Sequence, residues 1–291
     1  MRTVAVAVAF LLATMSLPRA QSQSRFALLS ASDERGEPVL GLSANDFIVE
    51  NDRSRCEVIA ATPADYPVAL VVDTSAFAND DFLMLRHAIE RFIEKTAGTR
   101  EIAVYTGGAP VTKAVDFTRQ RDVLLRGVSR LFAARASTTH TLDAVRRAAV
   151  DLRSRRASVT GIVVVSAGGI ETTPPPVADL LPVVLASHAI VHVADRRPLR
   201  LNQGVDHREQ LRVPQSGGGD VLEALARRTH GGYVRGVDAA VYATGLDAIG
   251  RQLDAEVIME YAVAPDAPRD LHVGLIAAGT LSRAIGLDSH R

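Results

Sequence analysis

Continuous apolar runs and helical periods alternate through the middle of the chain. PVALVVD (67–73), SVTGIVVVS (158–166) and AIVHVAD (189–195) are hydrophobic throughout, as in parallel strands buried on both faces. Between them, Asp80 to Thr96 places its apolar residues on one helical face, and RQRDVLLRGVSRLF and TLDAVRRAAVDLRSR have a similar period. Strands that alternate with helices in this way predict an α/β fold with a doubly wound, mostly parallel sheet.

Both ends of the chain have a different pattern, with short alternating segments separated by turn residues. RFALLSAS, EPVLGLS, DFIVEND and RCEVIAA read as strands near the N-terminus, and EVIMEYAVAP, LHVGLIAA and LSRAIGL near the C-terminus. A few strands at one end cannot form a stable sandwich alone. We therefore predict one small β domain built from residues 25–63 and 256–288, with an α/β domain, residues 67–255, inserted between them.

The first residues have the order of a secretory signal peptide. Arg2 supplies a positive charge, Val4 to Met15 is apolar, and Ser16, Pro18 and Ala20 follow. We expect residues 1–20 to be removed on export to the periplasm or the exterior, with a retained anchor as the alternative. No other apolar run is long enough to span a membrane, so none is expected after the signal peptide is removed.

Composition excludes several classes of partner. Lys+Arg and Asp+Glu balance at 33 each, so no net field attracts nucleic acid. Trp is absent and aromatic residues are 4% of the chain, which disfavours stacking platforms for bases. Cys56 is the only cysteine, so an internal disulfide is impossible. An arginine-rich segment, residues 196–212, is expected to be a surface loop that either contacts an anionic partner or is only solvated.

Hard oxygen ligands follow the first predicted core strand. Asp73 and Ser75 come directly after PVALVV, and Thr139 precedes the helix at 141. In open α/β sheets, sites form beyond the carboxyl ends of the strands, so these side chains are expected to meet. Carboxylate and hydroxyl oxygens suit Mg²⁺. A carboxylate from a protein partner could complete the shell, which would make the metal a bridge and not a catalyst.

These segments resemble the von Willebrand factor A domain, in the form found in exported bacterial VWFA-related proteins. The family's metal-ion-dependent adhesion motif is Asp-x-Ser-x-Ser, followed later by a Thr and an Asp. VVDTSAF supplies Asp73 and Ser75, but Phe77 replaces the second Ser. STTHTLDAV places the metal Thr at Thr139, and IVVVSAGG has Ala167 at the position of the Asp. Two of the family's five ligands are therefore missing.

The resemblance extends over most of residues 27–280. GEPVLGLSANDFIVEND, LEALARRTHGGYV and MEYAVAPDAPRDLHVGLIA are similar to segments before, within and after the family's domain. It implies a non-enzymatic protein-binding module that contacts its partner at the strand-end face. That face is expected to comprise Asp73, Ser75, Phe77, Thr139, His140 and Ala167, and to need no metal. A degenerate site for Mg²⁺ or another divalent cation at Asp73, Ser75 and Thr139 remains open.

Asp80 and Asp81 also allow two interpretations. Their offsets from Asp73 resemble those of the adjacent acidic metal site in integrin β subunits. Acids in the first turn of a helix are also favoured by its exposed N–H groups and its dipole, which is the interpretation we prefer.

The alternative function is an α/β hydrolase-like or nucleotide-dependent enzyme on the same sheet. Ser166 ends a core strand, but VVSAGG lacks the Gly-x-Ser-x-Gly of a nucleophile elbow. His188, His192 and His230 are scattered, so a zinc site is not expected. TGGAP and SGGGD are not phosphate-binding loops. A purely structural envelope protein is a third possibility.

Overall fold

The computed structural model describes residues 22–51, 54–134, 138–171, 174–197, 218–267, 270–276 and 280–287. The predicted signal peptide, residues 1–20, and most of the arginine-rich segment lie outside these residues. None of the helices in the described part of the chain combines the length and the apolar character that a membrane span requires.

Fifteen strands and six α-helices make up the described part of the chain. The helices are α1 (Phe82–Thr96), α2 (Arg121–Ser129), α3 (Thr141–Ser154), α4 (Val177–Leu185), α5 (Gly218–Arg228) and α6 (Ala240–Asp254). The strands are β1 (Gln23–Ser32), β2 (Phe47–Asn51), β3 (Ser54–Cys56), β4 (Val58–Pro63), β5 (Val68–Val72), β6 (Ile102–Thr106), β7 (Thr112–Thr118), β8 (Thr138–Thr139), β9 (Thr160–Ser166), β10 (Ile170–Glu171), β11 (Ala189–Arg196), β12 (Tyr233–Gly236), β13 (Val257–Val263), β14 (His272–Leu275) and β15 (Thr280–Leu287). Two short 3₁₀ helices cover Ala44–Asp46 and Ala76–Asp81.

The main sheet has six strands in the order β12-β11-β9-β5-β6-β7. All neighbours are parallel except β7, which pairs antiparallel with β6 at one edge. Every residue of β5, β6 and β9 is buried, because helices cover both faces of these strands. The predicted doubly wound α/β sheet is therefore confirmed.

Each face of this sheet has its own helical layer. On one face, Leu85 of α1, Leu124 of α2 and Tyr242 of α6 pack against residues such as Leu70. The helices α3, α4 and α5 form the second core on the opposite face. Residue parity along each strand decides which core a side chain joins, since successive side chains point to opposite faces.

Strands from both chain ends form the small β domain. One antiparallel sheet has the order β15-β1-β13-β4, and a second has the order β14-β2-β3. Alternation in β1 explains its two contacts: Leu28 packs into the core of the α/β domain, whereas Ala27 and Leu29 pack with Phe47 and Val49 of the second sheet. The four-stranded sheet thus lies between the α/β domain and the three-stranded sheet. The predicted residue bounds of the two domains stay predictions.

Two local expectations differ from the structure. EPVLGLS is not a strand, and only a single bridge joins Pro38 to Ser32. Proline has no N–H to donate, and Gly41 has a left-handed φ of 74°, so a regular ladder cannot continue there. The first helix of the α/β domain begins at Phe82 and not at Asp80, because the preceding residues form the 3₁₀ helix.

Candidate functional site

Asp73 lies directly after β5 and its side chain is fully buried. Its backbone N–H donates to the carbonyl of Val165 at 2.9 Å, which extends the pairing of β5 with β9. Oδ1 accepts from the N–H of Ser75 at 2.9 Å and from the hydroxyl of Thr139 at 3.1 Å. Oδ2 accepts from the N–H of Ala167 at 3.1 Å. Three strand-end segments therefore converge on one carboxylate.

Ser75 caps the 3₁₀ helix with its backbone, but its side chain makes no capping hydrogen bond. Its Oγ is buried and has no hydrogen-bond partner among the described residues. Gly169 closes the space beside it: a Cβ there would lie 3.1 Å from Ser75 Oγ and 3.0 Å from Thr139 Cβ. A larger residue at position 169 would therefore push the two hydroxyl residues apart.

Thr139 reaches the site through a short parallel pairing. It lies in β8, which pairs with β10, and its side chain is 3% exposed. Besides Asp73, its Oγ1 lies 3.1 Å from the carbonyl of Gly107 and 2.7 Å from the hydroxyl of Thr141. A hydroxyl has one proton to donate, so Thr139 bonds to Asp73 or Gly107 at a given moment.

Phe77 and His140 lie at the edge of this cluster. Phe77 is half-buried in the 3₁₀ helix, packs against the core on the α1 side, and accepts from Arg196 Nη1 through its carbonyl at 3.4 Å. His140 precedes α3, and its Nδ1 lies 3.4 Å from a carboxylate oxygen of Asp143. Both keep exposed surface.

Burial divides the residues of the predicted contact face into two groups. Asp73, Ser75 and Ala167 are 0% exposed and Thr139 is 3% exposed, so these four side chains have almost no surface to offer a partner. A sequence pattern does not show how far below the surface a strand ends, so the contact face itself stays a prediction. In the structure these four residues lie beneath the exposed residues of the face.

The residues around Asp73 do not fit a divalent cation well. Asp73 is the one carboxylate of the predicted ligand set, and both its oxygens already accept hydrogen bonds from the protein. Of the three predicted ligands, Ser75 is the one whose side-chain oxygen has no hydrogen-bond partner among the described residues. Mg²⁺ demands near-ideal octahedral oxygen coordination, usually with carboxylate charge. The described residues contain no group of three or more His, Cys, Asp or Glu side chains that could hold a metal ion.

Asp80 and Asp81 differ in their surroundings. Asp80 is exposed, and Asp81 lies 2.8 Å from Arg196 Nη2. Arg196, at the end of β11, therefore fixes the 3₁₀ helix through both Asp81 and the carbonyl of Phe77. This arrangement agrees with a structural role for Asp81 and not with a second metal site.

Glu171 is a residue of this region that sequence reasoning missed. It pairs with Thr139 across β10 and β8, is 8% exposed, and accepts the N–H of Leu142 at 2.8 Å. Burial, opposed by this hydrogen bond and assisted by Asp143 and Asp73, raises the pKa of Glu171 to about 7. A carboxyl two residues after Gly168-Gly169 gives no sequence signal, because only the pairing of two-residue strands places it here.

Exposed apolar side chains flank the same end of the sheet, and these were also missed. Phe132 is 76% exposed, Leu83 62% and Met84 53%. The N–H of Ala134 donates to the carbonyl of Thr74 at 2.6 Å, which holds the segment after α2 beside the strand-end loop. The predicted helix included Phe132, whereas α2 ends at Ser129 and leaves this ring outside the helical period.

Arg86 connects α1 to that segment. Its Nη2 donates to the carbonyl of Leu131 at 2.6 Å, and its guanidinium lies 5.3 Å from the ring centroid of Phe82. Leu83 follows Phe82 in the sequence and Phe132 follows Leu131, so Arg86 links the two segments that carry these exposed side chains. We refer to Leu83, Met84 and Phe132 as the apolar rim.

The residues considered for catalysis are not assembled into an active site. Ser166 Oγ accepts the N–H of Gly168 at 3.2 Å, and within the described ranges no histidine or carboxylate bonds to it. His192 is buried inside β11, where its Nδ1 accepts the N–H of Gly232 at 3.1 Å. Asp195 accepts from Tyr233 and an arginine at the edge of the sheet. A nucleophile hydrogen-bonded to a base is thus not found in the described part of the chain.

No protein-family model matches the chain, and a search of curated proteins finds no match. Solved structures do match. A von Willebrand factor type A structure from Catenulispora acidiphila has a TM-score of 0.50 and 12% identity, over 92% of this chain and 74% of that one. Proximal thread matrix protein 1 from the mussel byssus, with a zinc-occupied MIDAS motif, has a TM-score of 0.52 and 10% identity, over 70% of this chain and 50% of that one.

These similarities establish the fold. The six-stranded sheet with its two helical layers has the fold of von Willebrand factor A-type domains, as the sequence resemblance implied. The chain spans only half of the mussel protein, and the zinc in that structure belongs to that protein. At these identities the function of this chain depends on its own residues.

Proposed function

We propose that the chain is an exported, non-enzymatic protein-binding module whose strand-end face binds a protein partner without a divalent cation. One observation carries this proposal: the buried carboxylate of Asp73 accepts hydrogen bonds from Ser75, Thr139 and Ala167. A carboxylate with hydrogen bonds from within the protein does not need an ion to stabilise its charge. The face then offers a partner its side chains.

Those side chains are the apolar rim together with Phe77 and His140. The rim is the exposed part, since Phe132 keeps three quarters of its surface in solvent. Large aromatic and aliphatic side chains dominate the energy of protein interfaces when a partner covers them. We therefore assign direct contact to the rim, Phe77 and His140, and a supporting role to the buried residues beneath them.

Export rests on the sequence of residues 1–20 alone. An exported module with an exposed apolar surface suits adhesion or scaffolding in the periplasm or outside the cell. Cleavage after Ala20 would leave Gln21 as the first residue of the mature protein.

Metal dependence is tested by thermal unfolding of the chain in EDTA and then in 1–10 mM Mg²⁺, Mn²⁺ or Zn²⁺. We expect the melting temperature to change by less than about 1 °C, because we expect no ion to bind. A bound ion at ~100 times its dissociation constant would instead stabilise the folded chain by roughly 2.7 kcal/mol. A rise of several degrees that disappears in Asp73→Ala would contradict the metal-free proposal. Asp80→Ala, an exposed acid in the same loop, is the control.

Partner contact is tested with a photo-crosslinking amino acid at position 132, introduced into the chain in its native cells. We expect one discrete cross-linked protein from this position. The matched control is the same substitution at Val150, which is 56% exposed on α3. Equal labelling from both positions, or none from position 132, would reject the proposed face. The yield should be the same with and without EDTA.

A further inference from the structure

Five buried polar side chains meet where the β domain packs on the α/β domain. They are Tyr66, Arg100, His192, Glu256 and Arg283, and each is at most 5% exposed. We refer to them as the junction cluster. They lie near the amino ends of the main strands, opposite the face built on Asp73.

The junction cluster contains two cations and one anion. Glu256 pairs with Arg283 through Oε1 and accepts the hydroxyl of Tyr66 on Oε2. The guanidinium of Arg100 lies 4.4 Å from the ring centroid of Tyr66 and donates to the carbonyl of Leu253. Glu256 thus compensates one arginine, and a buried positive charge remains. Asp254, also near Arg100, is exposed, so solvent screens its contribution.

Three N–H donors of this cluster have no acceptor in the described part of the chain. They are Nη1 of Arg100, Nε of Arg283 and Nε2 of His192. The donor character of His192 follows from its other nitrogen: Nδ1 accepts from Gly232, so the proton of a neutral ring lies on Nε2. Burial and the two arginines hold the pKa of His192 well below its ordinary value, so the ring is neutral.

The donors belong to one neighbourhood. Tyr66 packs over Gly161 of β9, where a Cβ would lie 3.1 Å from its ring. Val163, two residues along the same face, pairs with His192 of β11. Arg283 donates to the carbonyl of His230 at 2.5 Å, two residues before the glycine that bonds to His192.

A cleft lies next to this neighbourhood, although none of the five cluster residues lines it. It has a volume of about 250 Å³, and Ser30, Glu37, Arg251 and Gln252 are among its lining residues. Ser30 pairs with Arg283 across β1 and β15. The side chain of Gln252 lies beside Gly232, the donor to His192. The cleft can hold a few water-sized species and is too small for a large metabolite.

We propose that the junction cluster binds a small monatomic anion, chloride. A single negative charge compensates the remaining arginine charge and provides an acceptor for the three N–H donors. Buried charges without a partner are strongly unfavourable, so occupancy would stabilise the contact between the two domains. This site is independent of the proposed strand-end face.

Thermal unfolding of the full chain in sodium chloride and in sodium gluconate of equal ionic strength tests the proposal. We expect the melting temperature to be several degrees higher in chloride and to saturate with chloride concentration. Arg100→Met, which removes the uncompensated charge, should abolish the difference. Arg91→Met removes an arginine that is about half exposed on α1 and should leave the difference unchanged. An equal melting temperature in both salts would overturn the proposal.

A second measurement keeps the proposal testable if Arg100→Met does not fold. Crystals of the wild-type chain grown in sodium bromide should show one anomalous peak within hydrogen-bond distance of Arg100, Arg283 and His192. Water alone at this position, or bromide only on the surface, would contradict the inference.

Discussion

The two ends of the main sheet each bury a carboxylate, and the partners of these carboxylates differ in kind. Asp73 at the carboxyl end accepts hydrogen bonds from two backbone N–H groups and a hydroxyl, all neutral. Glu256 at the amino end is paired with Arg283 and accepts from Tyr66. Both carboxylates are 0% exposed, so the difference lies in their partners and not in their burial.

The partners also come from different parts of the molecule. Those of Asp73 all belong to the α/β domain. Glu256 and Arg283 both belong to the C-terminal segment of the β domain, and Arg283 also donates to the carbonyl of His230 in the α/β domain. The carboxyl end is therefore complete within one domain and leaves its surface available to a partner. The amino end instead connects the two domains, because Arg283 bonds to Glu256 and also to the carbonyl of His230.

The largest expected effect is at the amino end. Arg283→Met leaves Glu256 buried without its cation, which should destabilise the protein by about 3–5 kcal/mol. Denaturant unfolding measures this loss, with the dependence of the unfolding free energy on denaturant concentration held equal for the two proteins. The double variant Arg283→Met, Glu256→Gln removes both charges and should recover much of it. A loss below about 1 kcal/mol in the single variant would mean that the buried Glu256 does not depend on Arg283 to stabilise its charge.

The second largest expected effect is at the carboxyl end of the sheet, where the free energy of unfolding should depend on pH through Glu171. The pKa of Glu171 is raised to about 7 when folded, so between about pH 4.5 and 7 the folded state binds more protons than the unfolded state. Its contribution to stability is therefore complete below about pH 4.5 and is lost as the pH rises through 7, by at most about 3 kcal/mol.

The measurement is the free energy of unfolding of the wild type minus that of Glu171→Gln across this pH range. The variant cannot ionise at this position, so its stability should decline less than that of the wild type as the pH increases. Parallel pH profiles for the two proteins would show that Glu171 is ionised well below neutrality.

The smallest expected effect tests the neutral shell of Asp73. Asp73→Asn keeps the shape but turns one acceptor oxygen into an NH₂ group, which then faces an N–H or O–H donor. We expect a destabilisation of about 2 kcal/mol by denaturant unfolding, the cost of unsatisfied buried donors. Asp80→Asn, in the exposed part of the same loop, should change stability by less than about 0.5 kcal/mol. Equal effects of the two substitutions would reject the buried shell.

Sequence patterns predicted the class of fold because they report local burial. VALVV is apolar without interruption, and the structure buries all five residues between helical layers. RFALLSAS likewise predicted a strand, and the structure shows that the two faces of β1 pack in different cores. EPVLGLS has similar alternation but is not a strand, because Pro38 and the left-handed Gly41 interrupt it.

The candidate site was predictable only in part. The convergence of Asp73, Ser75 and Thr139 followed from their positions at parallel strand ends, and the structure places them together. Their burial did not follow, and neither did the apolar rim, because the end of α2 decides whether Phe132 is inside or outside a helix. Glu171 was missed because a two-residue pairing with Thr139 leaves no pattern in the sequence.

The sequence by itself determined the alternation of strands and helices, the segments at both ends that form one β domain, and the residue types at the strand ends. These properties depend on neighbouring residues and on the periods of helix and strand. Only the tertiary structure decided which partner each buried carboxylate has. Glu256 and Arg283 are 27 residues apart and Asp73 and Ala167 are 94 apart. Such pairs form when packing removes water from a carboxylate. The cost of burying its charge and the hydrogen-bond donors that offset this cost depend on residues far away in the sequence, so no local pattern reveals them.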